Sequence, residues 1–582
     1  MEGQILEETT MQKWLEIRKG ADFQAISEKF HISPIVARLI RNRDVIKEED
    51  IDFYLNGTIG DLYDGMLMRD MDRAVEILAE KIRDGVPMRI IGDYDIDGVN
   101  AAYILKEGLT QLGADVDTDI PDRMKDGYGL NQHLIDRALA DGIDTILTCD
   151  NGIAAMDEIQ YGKEHGLTMI VTDHHQVPYV EEDGEKIYQI PPADAVVDPH
   201  RPGCEYPFKG LCGAAVAYKL VEALYEVMQK DVDDVDYLME NVAIATVGDV
   251  MDLCGENRIF VKQGLEMLKR TQNIGLQALM ECTKVPVENL NAYHIGFVIG
   301  PCINASGRLD TAKRALRLLC AKDQREAMML AEELVALNNE RKDMTEEGVK
   351  AAVEQIENSS LKEDKVLVVY LPDCHESIAG IIAGRIRERY YRPTFVLTKG
   401  EKGVKGSGRS IEEYHMYEEM NKCQELFTRF GGHKLAAGLS LPEENVSLFR
   451  QRINELTTLT MEDLIEKVYI DMRLPFSCIS ELLIEELEIL EPFGKGNRKP
   501  LFGEKNLKVI QPKLVGRNNN AVKFQVKDQS GQMMDAIYFG DAENCLETLE
   551  TSEQIAITYY PSVNEYMNRR TLQITVVNYS SC

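Results

Sequence analysis

Three short apolar runs, each ending in a cluster of ionisable side chains, constrain this chain more than any other feature. Met88 to Ile91 leads into Gly92-Asp93-Tyr94-Asp95-Ile96-Asp97-Gly98, Thr145 to Leu147 into Thr148-Cys149-Asp150-Asn151-Gly152, and Met169 to Val171 into Thr172-Asp173-His174-His175. A further apolar run spans Ala195 to Val197, and a helical pattern from Gly98 to Leu112 separates the first run from the second. Short buried strands alternating with helices predict a mostly parallel α/β sheet. The carboxyl ends of parallel strands share one edge, where such folds build their sites, so these groups are expected to meet in space. In the first cluster the carboxylates sit two apart, so an extended backbone would send Asp93, Asp95 and Asp97 to one side. The same alternation turns Cys149 away from Asp150.

So many carboxylates in one place repel one another, and the arrangement holds at neutral pH only when cations neutralise it. Oxygen ligands with one or two imidazoles and no thiolate favour Mn²⁺ or Mg²⁺ over structural zinc. Two ions sharing a carboxylate, roughly 3.5–4 Å apart, clamp a phosphate and acidify a water, which makes phosphoester hydrolysis the predicted chemistry. Each cluster alone has an ordinary explanation, because an Asp after a strand often caps the next helix and a His pair often sits in a surface turn. Three such clusters at successive strand ends do not. Asp249, in Ala245-Thr246-Val247-Gly248-Asp249-Val250, closes an apolar helix-like run, a position where a cap is the commoner role.

The rest of the chain sets the context. Its 582 residues predict three or four compact units. The start, Met1-Glu2-Gly3-Gln4, lacks a basic and then apolar signal, and no run of 18 or more apolar residues could span a bilayer, so a cytoplasmic, membrane-free protein is expected. Twelve cysteines without a CxxC pair fit that compartment, most of them expected as small buried apolar residues. A net charge of −33 excludes indiscriminate coating of nucleic acid, so any groove for a phosphate backbone must be local. Arg385 to Ser410, with eight Lys/Arg against two Glu, is the candidate segment. Gly494-Lys495-Gly496-Asn497 has neither the spacing nor the Ser/Thr of a nucleotide-triphosphate loop.

The pattern predicts an α/β fold in five parts. Residues 1–70 read as a helical leader with Trp14, Leu15 and Ile17 as an apolar stripe. Residues 71–323 form the parallel-sheet domain, with Glu181-Glu182-Asp183-Gly184 as an acidic surface insertion. A long helix at 324–358 connects to a second α/β domain at 359–459, built on strand Val366 to Leu371, helix Ile378 to Tyr390 and strand Thr394 to Leu397. The β-rich runs Leu507 to Ile510, Ala521 to Val526, Met534 to Phe539 and Gln554 to Tyr560 predict an OB-like barrel at 460–582. Gly406-Ser407-Gly408-Arg409-Ser410 reads as a turn whose backbone N–H groups and guanidinium suit an anion, and Gly431-Gly432-His433 as a close backbone approach to a ligand.

The three clusters and Thr246 to Asp249, in this order and spacing, resemble the four motifs of the DHH phosphoesterases. Asp93-Tyr94-Asp95, with Ile91 where the small-molecule members keep a His, is similar to the RecJ branch of that family. So are Pro121-Asp122-Arg123, Gly127-Tyr128-Gly129-Leu130, Gly300-Pro301-Cys302-Ile303-Asn304-Ala305-Ser306-Gly307-Arg308, Gly380-Ile381-Ile382-Ala383 and Pro492-Phe493-Gly494-Lys495-Gly496-Asn497. Asn151, Gly248 and Arg498 depart from the usual residues at their positions.

Residue by residue, the resemblance implies that Asp95 serves one Mn²⁺ or Mg²⁺, that Asp97, His174 and Asp249 serve the other, and that Asp150 bridges both, with Asp93 beside the first. His175 and Arg308 would hold the scissile phosphate. Arg123, Ser407 and Arg409 would bind a 5′ phosphate, with Asn304 and His433 as further substrate contacts. The function implied is a 5′-to-3′ exonuclease that releases mononucleotides from single-stranded DNA in repair and recombination, with a single-strand-binding protein and a RecQ-type helicase as partners. The same core would serve a phosphodiesterase of short oligonucleotides or cyclic dinucleotides, which the β-rich C-terminal part disfavours. An inactive replication scaffold is disfavoured by the intact acidic set.

Overall fold

The computed structural model describes residues 12–123, 126–127, 129–182, 184–400, 403–566 and 569–581. Met1 to Gln4, Tyr128, Asp183, Glu401, Lys402 and Cys582 lie outside them. The described residues divide into two compact units, one of Trp14–Gly300 with Tyr469–Ser581, the other of Pro301–Val468 with Gln12 and Lys13.

In the first unit, strands β1 (Met88–Gly92), β2 (Val116–Asp119), β3 (Thr145–Cys149), β4 (Thr168–Thr172) and β5 (Ala195–Val197) form an all-parallel sheet in the order β2-β1-β3-β4-β5. β1, β3 and β5 are buried along their whole length, as expected of strands covered on both faces. Helices α1 (Ile96–Gln111), α2 (Gly213–Val227) and α3 (Met239–Gly248) are buried almost all round and pack on one another. α1 and α2 approach closely because Gly108 carries no side chain: a Cβ there would lie 2.6 Å from Val221 Cγ1.

The same unit holds a six-stranded barrel of Met472–Arg473, Phe502–Val515, Ala521–Lys527, Met533–Phe539, Ile555–Tyr566 and Arg569–Ser581, closed by pairing of Phe502–Val515 with Ile555–Tyr566. Helices Pro34–Asn42 and Glu48–Asn56 add Leu39, Ile40 and Ile51 to the core formed by Phe502, Phe524 and Tyr559. The first is started by Ser33, whose hydroxyl accepts from Val36 N, and by Pro34 at N1. The buried Arg258 guanidinium donates to the Tyr54, Ile489 and Leu490 carbonyls, tying these helices and the barrel approach to helix Gly255–Leu268.

In the second unit, helix Gln324–Glu357 runs for 34 residues from an Asp323 cap and packs on helix Ala379–Tyr390. The adjoining sheet has the order Arg429–Gly432, Ala436–Leu441, Gly403–Arg409, Thr394–Gly400, Leu367–Tyr370, of which only the last pair is parallel. No described helix is long and apolar enough to cross a membrane.

Two local expectations fail and one holds. Gln12–Glu16, which includes Trp14 and Leu15, is a strand, because three apolar residues in four positions do not make a 3.6-residue stripe. The acidic segment is a surface insertion as expected: Glu181, Glu182 and Gly184 belong to an exposed hairpin of Tyr179–Glu182 with Glu185–Tyr188. Gly406-Ser407-Gly408-Arg409 is the interior of a strand rather than a turn. Ser407 pairs with Val396 on one side and Gly438 on the other, so the ladder occupies that backbone. Its glycines make room for neighbours: a Cβ on Gly406 would strike Leu397, and one on Gly408 would strike Met416 and Phe395.

Candidate metal centre

The first cluster departs from the extended alternation expected of it. β1 ends at Gly92 and α1 begins at Ile96, so Asp93 follows the strand, Asp95 is the N-cap and Asp97 lies in the first helical turn. Asp95 Oδ1 accepts from Asp97 N at 2.9 Å and Gly98 N at 3.1 Å. A Cβ on Gly98 would lie 2.5 Å from Asp93 N and O, so only glycine lets the helix start this close to the strand end.

Asp97 is fully buried and accepts from Gly213 N at 2.6 Å and Ala214 N at 2.7 Å, the unpaired donors at the start of α2. Asp150 follows β3 with φ of +59°, a left-handed conformation that a non-glycine residue adopts at a cost. α2 again permits it, since a Cβ on Gly213 would lie 2.6 Å from Asp150 Cβ. Asn151 braces the edge by donating to Ile91 O and Cys149 O and accepting from Leu130 N.

Around Asp150 the other groups converge. His174 Nε2 is 3.0 Å from Asp150 Oδ1, 3.5 Å from Asp97 Oδ2 and 3.9 Å from Asp249 Oδ2. Three sets have ligand atoms all within 4.8 Å of one another: Asp93, Asp95 and Asp150; Asp97, His174 and Asp249; and Asp150, His174 and His175. Asp150 and His174 thus each belong to two sets. Asp249 sits at the C-cap of α3, which brings it here from a helix end rather than a strand end.

Burial pushes Asp93, Asp97 and Asp150 above the ordinary carboxylate range, and their neighbours Asp95, Asp97 and Asp93 add repulsion. The same causes raise Asp249 to about 8. Asp93 Oδ1 is buried without a hydrogen-bond partner. A pocket of crowded carboxylates with an orphaned oxygen is what an oxygen-liking cation would satisfy. Burial drives the Cys149 and Cys212 thiols upward and keeps them neutral, so the donor set is carboxylate and imidazole.

Asp173 sits beneath both imidazoles. It accepts from His175 Nδ1 at 2.7 Å and from the backbone N of His174, His175 and Ile153. Although burial opposes it, this set of donors and the two imidazoles hold Asp173 below its ordinary value. Burial also works against the His175 cation, but the Asp173 hydrogen bond and nearby carboxylates carry its pKa up to about 9.

The remaining predicted residues divide between the units. Arg123 lies in the first, its guanidinium 5.0 Å from the centroid of the Tyr94 ring inside the first cluster. Asn304 and Arg308 lie on helix Gly300–Leu309, where Arg308 Nη1 donates to Ser377 O at 2.9 Å. Ser407 and Arg409 share a strand and face the first turn of helix Ala379–Tyr390: a Cβ on Gly380 would lie 2.9 Å from Arg409 Nη2 and 3.4 Å from Ser407 Cβ. His433 is exposed, and its backbone N–H donates to Ala436 O. The basic segment is partly engaged within the fold: Arg385 and Arg387 pair with Glu388, and Arg392 donates to the Lys362 and Asp364 carbonyls.

Sequence reasoning passed over three groups at this edge. Asp173 belongs to a recognised cluster, but its work beneath the imidazoles shows only in the hydrogen bonds. Asp198, just past β5, is a fourth strand-end carboxylate, buried with Oδ2 unpartnered and raised to about 8 by burial and Asp173. Lys495 meets the loop after Asp249: its carbonyl accepts from Leu253 N, and its Nζ is 3.5 Å from Asp252. Gly496 allows that approach, since a Cβ there would lie 2.9 Å from Asp252 Cβ.

A parallel sheet with these sets at its carboxyl edge, joined to a second α/β domain, defines a phosphoesterase of the DHH family. Residues 87–246 match the DHH family, N-terminal domain, residues 363–458 the DHHA1 domain, and residues 470–578 the RecJ OB domain. The chain belongs to the RecJ family. It is 35% identical over 557 residues to the single-stranded-DNA-specific exonuclease RecJ of Bacillus subtilis, covering 95% of this chain and 69% of that protein. It is 32% identical to the protein of the same name in Salmonella typhimurium, covering 97% of this chain and 99% of that one. The crystal structure of RecJ in complex with Mn²⁺ from Thermus thermophilus superposes with a TM-score of 0.82 at 28% identity, covering 98% of this chain and 79% of that one.

Proposed function

We propose that this protein is a metal-dependent exonuclease that hydrolyses single-stranded DNA from a 5′-phosphorylated end to 5′-mononucleotides. The observation that carries the reading is the convergence of Asp93, Asp95, Asp97, Asp150, His174 and Asp249 at one sheet edge, in a chain that aligns along nearly its whole length with single-stranded-DNA-specific exonucleases. Asp93, Asp95 and Asp150 would hold one Mn²⁺ or Mg²⁺, and Asp97, His174 and Asp249 the other, with Asp150 shared. Bound there, such ions would offset the carboxylate charge, polarise the phosphodiester and lower the pKa of a water so that hydroxide is available at neutral pH.

The chain's own residues do the rest. Asp97 is held by the α2 N-terminus and Asp95 by its cap bonds, so neither carboxylate has to be ordered when substrate arrives. Asp173 fixes the His175 ring through Nδ1, and His175 and Arg308 are the donors assigned to the scissile phosphate. Arg123, braced on Tyr94, and Arg409 with Ser407 at a helix N-terminus are assigned to the 5′ phosphate, with Asn304 and His433 along the strand.

The barrel would meet a phosphate backbone through lysine pairs whose register the sequence did not reveal. Lys508 stands directly opposite Lys527, and Lys513 opposite Lys523, in the ladder between Phe502–Val515 and Ala521–Lys527. Among the described residues none of the four forms an ion pair. Like charges facing across strands are destabilising by themselves, and a polyanion relieves them.

Work in the cytoplasm beside a single-strand-binding protein and a RecQ-type helicase belongs to the same reading. It is checked by pull-down of each purified protein with the full-length chain. The enzymatic reading is tested with end-labelled 5′-phosphorylated single strands, duplexes and dinucleotides in Mn²⁺ or Mg²⁺. Mononucleotide release from long single strands is expected, and cleavage of dinucleotides alone would overturn it. Arg409→Ala is expected to weaken 5′-phosphorylated ends more than 5′-hydroxyl ends; equal losses would remove its assigned role.

A further inference from the structure

Two of the most exposed large apolar side chains, Tyr293 at 61% and Phe297 at 64%, stand together in the first unit. They are four residues apart on one helical face, and their rings stack with centroids 4.9 Å apart at 26°. Ala292–His294 is α-helical, and the next five residues, Ile295–Ile299, form a π-helical turn, a rare feature that recurs at functional sites.

The opposite face of this segment is anchored on the metal centre's own elements. Ile295 and Ile299 are buried, and a Cβ on Gly296 would rest 3.5 Å from Val247 Cγ1, two residues before Asp249. A Cβ on Gly300 would lie 3.1 Å from Ile96 Cδ1, and the same Ile96 side chain fills the space beside Gly248. Ile96 lies between the candidate ligands Asp95 and Asp97. Val250, which follows Asp249 in the chain, is 59% exposed at φ +57°. An open aromatic ledge is therefore fastened to the elements that carry Asp95, Asp97 and Asp249.

Beyond the Tyr293 hydroxyl the ledge offers a backbone phosphate no donor, whereas a nucleobase has a flat face that continues the stack. We propose that Tyr293 and Phe297 are positioning residues that stack bases of the single strand beside the metal centre, so that the enzyme grips its substrate through bases as well as phosphates. The inference rests on the single-strand reading above. It adds a base-dependent component to binding, which the carboxylates and lysines cannot supply.

The test uses the full-length protein, fluorescence anisotropy in EDTA, and two 5′-phosphorylated strands of equal length, one of thymidines and one abasic. Tyr293→Ala and Phe297→Ala are expected to weaken the thymidine strand about 10-fold while leaving the abasic strand unchanged. Phe297→Trp should keep wild-type affinity, and Phe297→Leu should lose most of what the alanine variant loses. Equal weakening of both strands, or none of either, would overturn the ledge, as would a changed oligomeric state with unchanged strand binding. If the wild type fails to prefer thymidines over the abasic strand the ledge falls, whereas a wild type that releases no mononucleotides in Mn²⁺ overturns the nuclease reading instead.

Discussion

Asp173 accepts four hydrogen bonds and holds the ring of His175 and the backbone of both histidines, yet it belongs to none of the three ligand sets. Such supporting carboxylates act by orienting the groups that do the chemistry. Asp173→Asn is expected to lower metal affinity or hydrolysis by about 10- to 100-fold while leaving the melting temperature near wild type; activity within twofold would contradict the role. A second residue-scale prediction concerns Glu240, buried in α3 and raised to about 7 by burial, with Thr271 Oγ1 donating to it at 2.8 Å. Its folded-state pKa lies above the unfolded one, so the folded protein binds the extra proton. The stability this brings is complete below 4.5 and is lost as pH rises to about 7. Glu240→Gln, which stays neutral, should therefore raise the melting temperature above neutral pH and have little effect at acidic pH. Parallel pH profiles for the two proteins would show that Glu240 is not the cause.

At the scale of elements, the parallel sheet was legible because its strands are continuous apolar runs punctuated by helices, and the observed strands overlap all four runs. β2 and Arg569–Ser581 were missed, since Val116-Asp117-Thr118-Asp119 and a strand with partly exposed alternate residues carry too little apolar signal. The local geometry of the first cluster was misjudged because nothing in Asp93-Tyr94-Asp95-Ile96-Asp97 marks where strand becomes helix. Only the Asp95 cap and the room left by Gly98 decide it. The glycines of residues 406–408 read as a turn for the opposite reason, since their need for empty space comes from Leu397, Met416 and Phe395, which only the fold brings against them. Register is equally invisible in a sequence, so the facing pairs Lys508–Lys527 and Lys513–Lys523 could not be anticipated. Replacing all four with Gln is expected to flatten the salt dependence of single-strand binding, by a slope of roughly 0.7 for each phosphate that is no longer neutralised. The same change should leave stability equal or higher, because it removes cross-strand repulsion. An unchanged slope would place the strand elsewhere.

For the whole molecule, a charge of −33 and several buried carboxylates at one sheet edge make cations part of the energetics of folding as well as of catalysis. A ligand that binds only the folded state raises the melting temperature. Mn²⁺ should therefore stabilise the protein against heat, EDTA should reverse the effect, and Asp150→Ala should abolish it. The positions of Asp93, Asp150, Asp173 and His174 after strand ends could be read from the sequence, whereas the joining of the N-terminal helices to the barrel core could not, because those segments lie some 450 residues apart. If the carboxylate cluster is a two-ion centre, calorimetric titration of Mn²⁺ into the metal-free protein will show it most directly. Two bound ions per chain are predicted for the wild type, with loss of this binding and of mononucleotide release in Asp150→Ala; a wild type that binds no Mn²⁺, or an Asp150→Ala protein that still binds two ions and digests single strands, would contradict it.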